Sequence, residues 1–96
     1  LRILAEGGAS DASRVDYGYR LCTGRGIRSQ EQEVVLGLLE SRRRELAQQP
    51  ASARAMLLDE EGQLPARVAE VGVVEGAAWM VVARVLLNLD ETLTKN

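Results

Sequence analysis

The segment from Glu75 to Asn96 constrains this chain most, because it is the only stretch apolar enough to be buried on nearly every side. Residues 76–83 carry no charge, and the apolar character continues to residue 89 with only Arg84 and Asn88 interposed. A helix that is hydrophobic around its whole circumference is normally surrounded by other parts of its protein. The pattern therefore predicts a central helix against which everything upstream packs.

The composition favours helices for the rest of the chain as well. Hydrophobic residues make up 46% of the 96 residues but aromatic residues only 3%, so the core must consist of Leu, Val and Ala, which suit helices. A chain of this length forms one domain at most. We therefore expect residues 1–96 to form a single all-α module, a small bundle of about four helices around the buried C-terminal helix. Because the chain starts without Met, we expect it to be the C-terminal piece of a longer chain.

Capping and breaking residues divide the upstream chain into three further predicted helices. Ser10 and Asp11 are N-cap candidates for the first helix, and Gly24 closes it. A capping-box sequence beginning at Ser29 opens the second helix, with the side chain of the Gln three residues later as its reciprocal partner. Pro50 ends the second helix and opens the third. The three helices are predicted over residues 11–23, 29–49 and 50–58.

Two segments lie outside these helices. Residues 1–6 are interpreted as the tail of a preceding helix, which Gly7 and Gly8 end. Residues 59–74 contain Pro65 and two glycines, and a connection of that length usually has its own structure or function. We expect one long ordered loop there, draped over the central helix.

Charge and residue types exclude several classes of function for this module. The net charge is -2, so the chain lacks the basic surface of a nucleic-acid binder. It has no His and a single cysteine, Cys22, so we expect no metal and no haem in this module. Without a histidine to activate it, Cys22 is interpreted as core filler rather than a nucleophile. No apolar run approaches the roughly 18 residues that span a bilayer, so membrane insertion is not expected.

The polar residues of the central helix are the candidate functional residues. Arg84, Asn88 and Glu91 fall on one stripe, in a segment otherwise too apolar to leave an arginine in water. They predict a partly buried polar cluster, including Asp90, that either orients the helix or faces a ligand or partner. Asp90 and Glu91 cannot flank one scissile bond, because adjacent helical positions point roughly 100° apart. Trp79 is predicted to anchor the core.

The three arginines 42–44 also suggest an anion site. Flanked by Glu40 and Glu45, they are interpreted instead as an ordinary solvated helix face.

The upstream helices are not expected to cover the central helix completely. Three narrow apolar stripes cannot enclose it, so part of Ala77, Met80 and Val81 should stay uncovered and mark an interface.

One stretch resembles a known family. The run Ala77-Ala78-Trp79, followed by residues 83–91 and by Leu93-Thr94, closely resembles the C-terminal end of a domain of unknown function in large planctomycete-type proteins. Residues 19–25 and the capped helix after them are similar to earlier elements of that family. The resemblance implies long exported proteins, periplasmic or on the cell surface. These often carry a planctomycete-type cytochrome c module upstream, so any haem would lie elsewhere in the longer chain. The resemblance implies no catalytic residue in this chain.

Three hypotheses remain open at this point. The first is a non-catalytic C-terminal module that completes and stabilises a larger exported protein concerned with redox or saccharide chemistry. The second is an enzyme whose site is shared with the upstream chain, with Arg84, Asn88 and Asp90 lining it. The third is a helical adaptor that binds another protein. The expected partner is the upstream part of its own chain, with self-association when the module is isolated.

Overall fold

Six helices make up the part of the chain that the computed structural model describes. That part is the backbone of residues 2–95 and the side chains of residues 3–66 and 68–88. It contains no strand, which confirms the predicted all-α class. The helices are α1 (Arg2–Glu6), α2 (Asp11–Thr23), α3 (Ser29–Ala47), α4 (Pro50–Leu57), α5 (Ala66–Val71) and α6 (Val73–Lys95).

The ends of α2 lie where the capping residues predict them. Ser10 is the N-cap, and its Oγ accepts a hydrogen bond from the N–H of Ser13 at 3.1 Å. Gly24 ends the helix with a φ of 79°, and its N–H donates to the carbonyl of Arg20. An L-residue with a side chain is strained in this left-handed conformation, so the glycine is the natural stop.

The cap of α3 differs from the predicted one, although the helix starts at Ser29 as expected. The N-cap is Arg28, and the Glu31 carboxylate accepts its backbone N–H at 3.0 Å. Arginine has no acceptor, so only this half of a capping box forms. The side chain of Gln32, predicted as the reciprocal partner of Ser29, donates instead to the carbonyl of Ala12 at 3.1 Å. That bond links α3 to α2.

The predicted loop 59–74 is wrong in its second half. It contains the six-residue helix α5, preceded by Pro65 and followed by Gly72, whose φ is 97°. Helix α6 then begins at Val73, two residues earlier than predicted. Tight packing explains the extra helix, since a Cβ added at Gly76 would lie 2.9 Å from Val68 of α5 and 3.1 Å from Leu57 of α4. So short a helix is stable only through such contacts.

Helix α6 forms the centre of the molecule, and every other helix packs against it. Trp79 is the largest of the fully buried side chains. The expectation that Ala77 is uncovered is wrong, because its side chain is fully buried, and Met80 and Val81 are partly buried. Helix α1, in the segment interpreted as the tail of a helix, and helix α5, which was not predicted, both contact α6 and add to its cover.

Helices α1, α2 and α6 meet at Gly18. A Cβ at this position would lie 2.6 Å from Cδ1 of Ile3 and 2.9 Å from Cδ1 of Leu86. Both side chains are buried, so a glycine is required for the helices to approach this closely. Residue 18 therefore fixes where the start of the chain and the second half of α6 lie relative to α2.

Candidate functional site

The most extensive polar arrangement is centred on Arg43 of α3. Its guanidinium donates two hydrogen bonds to the Asp11 carboxylate of α2, at 2.7 and 2.9 Å. It donates two more to Glu75 of α6, one from Nε at 2.9 Å and one from Nη2. Four charge-assisted bonds from one planar fork are geometrically specific. The Arg43 side chain is only 24% exposed, so it links three helices from a largely covered position.

Two neighbouring residues extend this arrangement to the core. The indole Nε1 of Trp79 donates to Glu75 at 3.0 Å, and the Arg14 guanidinium lies 5.8 Å from the centre of the Trp79 ring. We call Asp11, Arg14, Arg43, Glu75 and Trp79 the Arg43 cluster. Its polar groups hold the buried tryptophan in one orientation.

Within the Arg43 cluster, the contact between Arg43 and Asp11 keeps both of these groups charged. Hydrogen bonding to Arg43 holds the pKa of Asp11 below its usual range, against the opposing effect of burial. The bonds to Asp11 and Glu75 in turn raise the pKa of Arg43 above its already high ordinary value. Groups that do not titrate near neutral pH are poor general acids and bases. The cluster is therefore suited to positioning helices rather than to proton transfer.

A second cluster joins the end of α2 to the start of α3. The Tyr19 hydroxyl donates to Glu31 at 2.6 Å and accepts a bond from Arg25. Arg25 also donates two bonds to Glu31, both at 3.2 Å, and its guanidinium lies 4.8 Å from the Tyr19 ring centre. We call these three residues the Tyr19 cluster. It fixes the turn at residues 24–28, because Arg25 is held against both helices.

The Tyr19 cluster shifts the pKa of each of its three members, and the hydrogen bonds to Glu31 raise that of Arg25. Hydrogen bonds from Arg25, then from Tyr19 and the Arg28 N–H, lower the pKa of Glu31 to about 2. Burial, followed by the bond to Glu31, raises the pKa of the Tyr19 hydroxyl. Glu31 is thus an ion and Tyr19 a neutral phenol at neutral pH. Each already has a partner, so neither is poised as a nucleophile or a base.

An apolar groove lies beside the Tyr19 cluster. It has a volume of about 200 Å³ and is lined by Tyr19, Glu31, Val34 and Val35. Val34 is 74% exposed at its edge, the highest value among the exposed large hydrophobic side chains. A groove of this size is smaller than typical small-molecule pockets of roughly 300–1,000 Å³. It can accept an apolar side chain of another helix more readily than a substrate.

The predicted polar cluster of α6 differs from expectation where the side chains are described. Arg84 and Asn88 are exposed rather than partly buried, because the opposite face of α6 carries the buried Val82 and Leu86. The side chains of Asp90 and Glu91 lie outside the described residues. Arg84 and Asn88 are therefore on the outer surface of α6.

Sequence reasoning missed the Arg43 cluster because it treated arginines 42–44 as one solvated face. That interpretation suits Arg44, which is 77% exposed, but it is wrong for Arg43. A usable signal was Glu75, an acidic residue at the start of an apolar helix and one turn before Trp79. A carboxylate in that place needs a cation from another element. The sequence does not say which arginine supplies it.

The described residues offer no metal site or membrane span. Among them, no group of three or more His, Cys, Asp or Glu side chains could hold a metal ion. Within the same part of the chain, no helix is both long and apolar enough to cross a bilayer. Cys22 is partly buried and packs against the core.

Comparison of the chain with models of protein families, with curated proteins and with solved structures gives no match. The resemblance of residues 77–94 to the planctomycete-type domain therefore stays a prediction. Arguments about function rest on the contacts of this chain.

Proposed function

We propose that this chain is a non-catalytic helical module that completes and stabilises a larger protein, with the upstream part of its own chain as principal partner. The observation that carries the proposal is the exposure of two leucines, one on α2 and one on α6. Leu87 is 57% exposed and Leu21 is 49% exposed. Large apolar side chains in contact with water mark a surface that another element covers when they belong to one patch.

The two leucines lie close to the junction of three helices. Gly18 packs against Ile3 of α1 and Leu86 of α6. Leu21 follows Gly18 by one turn of α2, and Leu87 directly follows Leu86. Both leucines are thus close in sequence to residues that pack against Ile3 in the first turn of α1. A segment joined to α1 would reach this surface without a long connection.

The polar clusters support a structural function rather than catalysis. Asp11, Arg43 and Glu75 are bonded to one another across three helices, and Tyr19, Arg25 and Glu31 across two. Active sites instead tend to hold titratable groups near their operating pH in a cleft. The resemblance of residues 77–94 supports an exported protein as the larger body, with a haem-carrying module elsewhere in it.

The test compares the module alone with the longer protein. Replacing Leu21 and Leu87 together by Asp should leave the melting temperature of residues 1–96 nearly unchanged, since both side chains are exposed. The same change should lower the melting temperature of the longer protein by several degrees, because it buries two charges at an interface. Leu58→Asp is the control. Leu58 follows Leu57, which packs against Gly76 at the start of α6 and is not among the side chains that pack against Gly18.

The control should change both proteins equally. If the double variant also changes both equally, the surface is not covered by the upstream chain and the proposal is wrong. Dye binding gives an independent check, because a hydrophobic dye should bind the module alone and be excluded from the longer protein. Equal dye binding by both would contradict the same proposal.

One observation favours a second function, a site shared with the upstream chain. Arg84 is exposed one turn before Leu87 on α6, so an element that covers Leu87 also approaches Arg84. An arginine presented in this way can bind a carboxylate or phosphate of a substrate. Arg84→Ala should then abolish an activity of the longer protein without lowering its melting temperature. Unchanged turnover would exclude this alternative.

A further inference from the structure

The outward face of α3 has a feature that the fold of one chain does not explain. Gly37 lies in the middle of this 19-residue helix and is exposed, and no atom lies within 4 Å of where its Cβ would be. Gly in a helix interior costs roughly 0.5–1 kcal/mol relative to Ala. At Gly18 and Gly76 the close approach of another helix accounts for the glycine. At Gly37 nothing within the described part of the chain does so.

Exposed residues with small or apolar side chains flank Gly37. Val34 is 74% exposed beside the apolar groove, and Ser41 is exposed one turn after Gly37. Val34, Gly37 and Ser41 are three and four residues apart, so they lie on one side of the helix. We call this surface, with Glu33 and Arg44 at its two ends, the Gly37 face. A second helix laid along it could approach the backbone closely and cover Val34.

The charges of the Gly37 face are self-complementary for antiparallel packing. Glu33 is exposed near one end, and Arg44 is 77% exposed near the other. Glu33 has no basic residue one turn before or after it, at positions 29, 30, 36 or 37. A two-fold axis midway between Gly37 and Ser41 brings Glu33 of each copy close to Arg44 of the other. Parallel packing would instead place like charges together.

From this arrangement we propose that the Gly37 face is the interface of a homodimer in which two α3 helices pack antiparallel. Gly37 of one copy lies opposite Ser41 of the other at the centre, and each Val34 is covered by the facing helix. Two Glu33–Arg44 ion pairs fix the register. The contact involves one helix from each copy, so its area lies at or below the lower limit of roughly 1,200 Å² for stable interfaces. The dimer therefore dissociates on dilution.

Sedimentation equilibrium over a range of concentrations tests the proposal. The wild-type chain should show a monomer–dimer equilibrium. Glu33→Arg and Arg44→Glu should each weaken dimerisation roughly fivefold or more, since each turns two attractions into repulsions. The double variant, carrying both reversals, should recover an affinity within about threefold of the wild type, because the pairs re-form with opposite sign.

Two further variants separate the interface from general charge and folding effects. Arg54→Glu changes the net charge as Arg44→Glu does, but at an exposed position of α4, and it should leave the dissociation constant unchanged. Gly37→Leu should keep the helical circular dichroism, because its side chain enters open space, and yet weaken dimerisation roughly tenfold or more by blocking close approach.

Several results would overturn the proposal. These are a chain that stays monomeric at every concentration, a dimer indifferent to Gly37→Leu, and single reversals that the double variant fails to rescue. A monomeric chain whose α3 amides become protected only within a longer protein would assign the Gly37 face to a different partner.

Discussion

The carboxyl group of Glu31 has a strongly lowered pKa. Its pKa is about 2 in the folded chain, against an ordinary value of 4.5, because Arg25, Tyr19 and the Arg28 N–H all donate to it. Between these pH values the unfolded chain binds more protons, so the stabilisation is complete above pH 4.5 and is lost as the pH falls towards 2. Urea denaturation between pH 5 and pH 2 should therefore show falling stability.

Glu31→Gln should make that fall smaller, since the amide does not titrate. Glu60→Gln, at an exposed position between α4 and α5, is the matched control and should leave the pH dependence as it is in the wild type. Identical pH profiles for Glu31→Gln and the wild type would mean that the four hydrogen bonds to Glu31 do not persist in solution.

Two mid-helix glycines should respond to alanine with opposite signs. Gly37→Ala should stabilise the monomer by roughly 0.5–1 kcal/mol, because its Cβ meets nothing and the helix gains propensity. Gly18→Ala should destabilise it by about 1–2 kcal/mol, since buried Ile3 and Leu86 must both move away. Chemical denaturation of dilute samples measures both changes. Equal effects at the two positions would contradict the packing at Gly18.

At the scale of the helices, Arg43 is the main polar link. Removing it leaves the Asp11 and Glu75 carboxylates together without their shared cation. Arg43→Ala should therefore cost roughly 1.5–3 kcal/mol of unfolding free energy. Arg43→Lys should recover only part of that loss, because an ammonium cannot bond both carboxylates bidentately. Thermal and urea denaturation at neutral pH measure these differences.

The adjacent arginine is the control for that experiment. Arg44 is exposed and lies 3.8 Å from Glu40, so Arg44→Ala should change the free energy of unfolding by no more than about 0.5 kcal/mol. If Arg43→Ala costs as little as Arg44→Ala, the link between α2, α3 and α6 contributes little to stability. The core around Trp79 would then hold the helices by itself.

For the whole molecule, we expect purified protein to carry no stoichiometric transition metal. The chain has no His and one Cys, and several of its carboxylates already serve as partners of arginines. Elemental analysis after dialysis measures the metal content, and treatment with a chelator should leave the melting temperature unchanged. A metal that survives dialysis at one equivalent per chain would contradict this expectation.

The architecture was predictable where local chemistry decides it. Ser10 and Gly24 delimit α2, and Pro50 opens α4, because caps and proline act through their own backbone neighbours. Helix α5 was not predictable in this way, since its six residues depend on packing against Leu57 and Gly76. For the candidate site, the sequence pointed to Arg84 and Asn88, both exposed, and missed Arg43, whose partners are 32 residues away along the chain in each direction.

The amino-acid sequence by itself determined the helical class, most helix ends and the central place of α6. Caps, breakers and apolar periodicity are properties of a few consecutive residues, and they act before any tertiary contact forms. Only the tertiary structure decided which charges meet, which glycines are needed for close packing and which apolar side chains stay exposed. The physical reason is that Arg43 could pair with any acidic residue within reach. The packing of α2, α3 and α6 around Trp79 is what brings Asp11 and Glu75 to it.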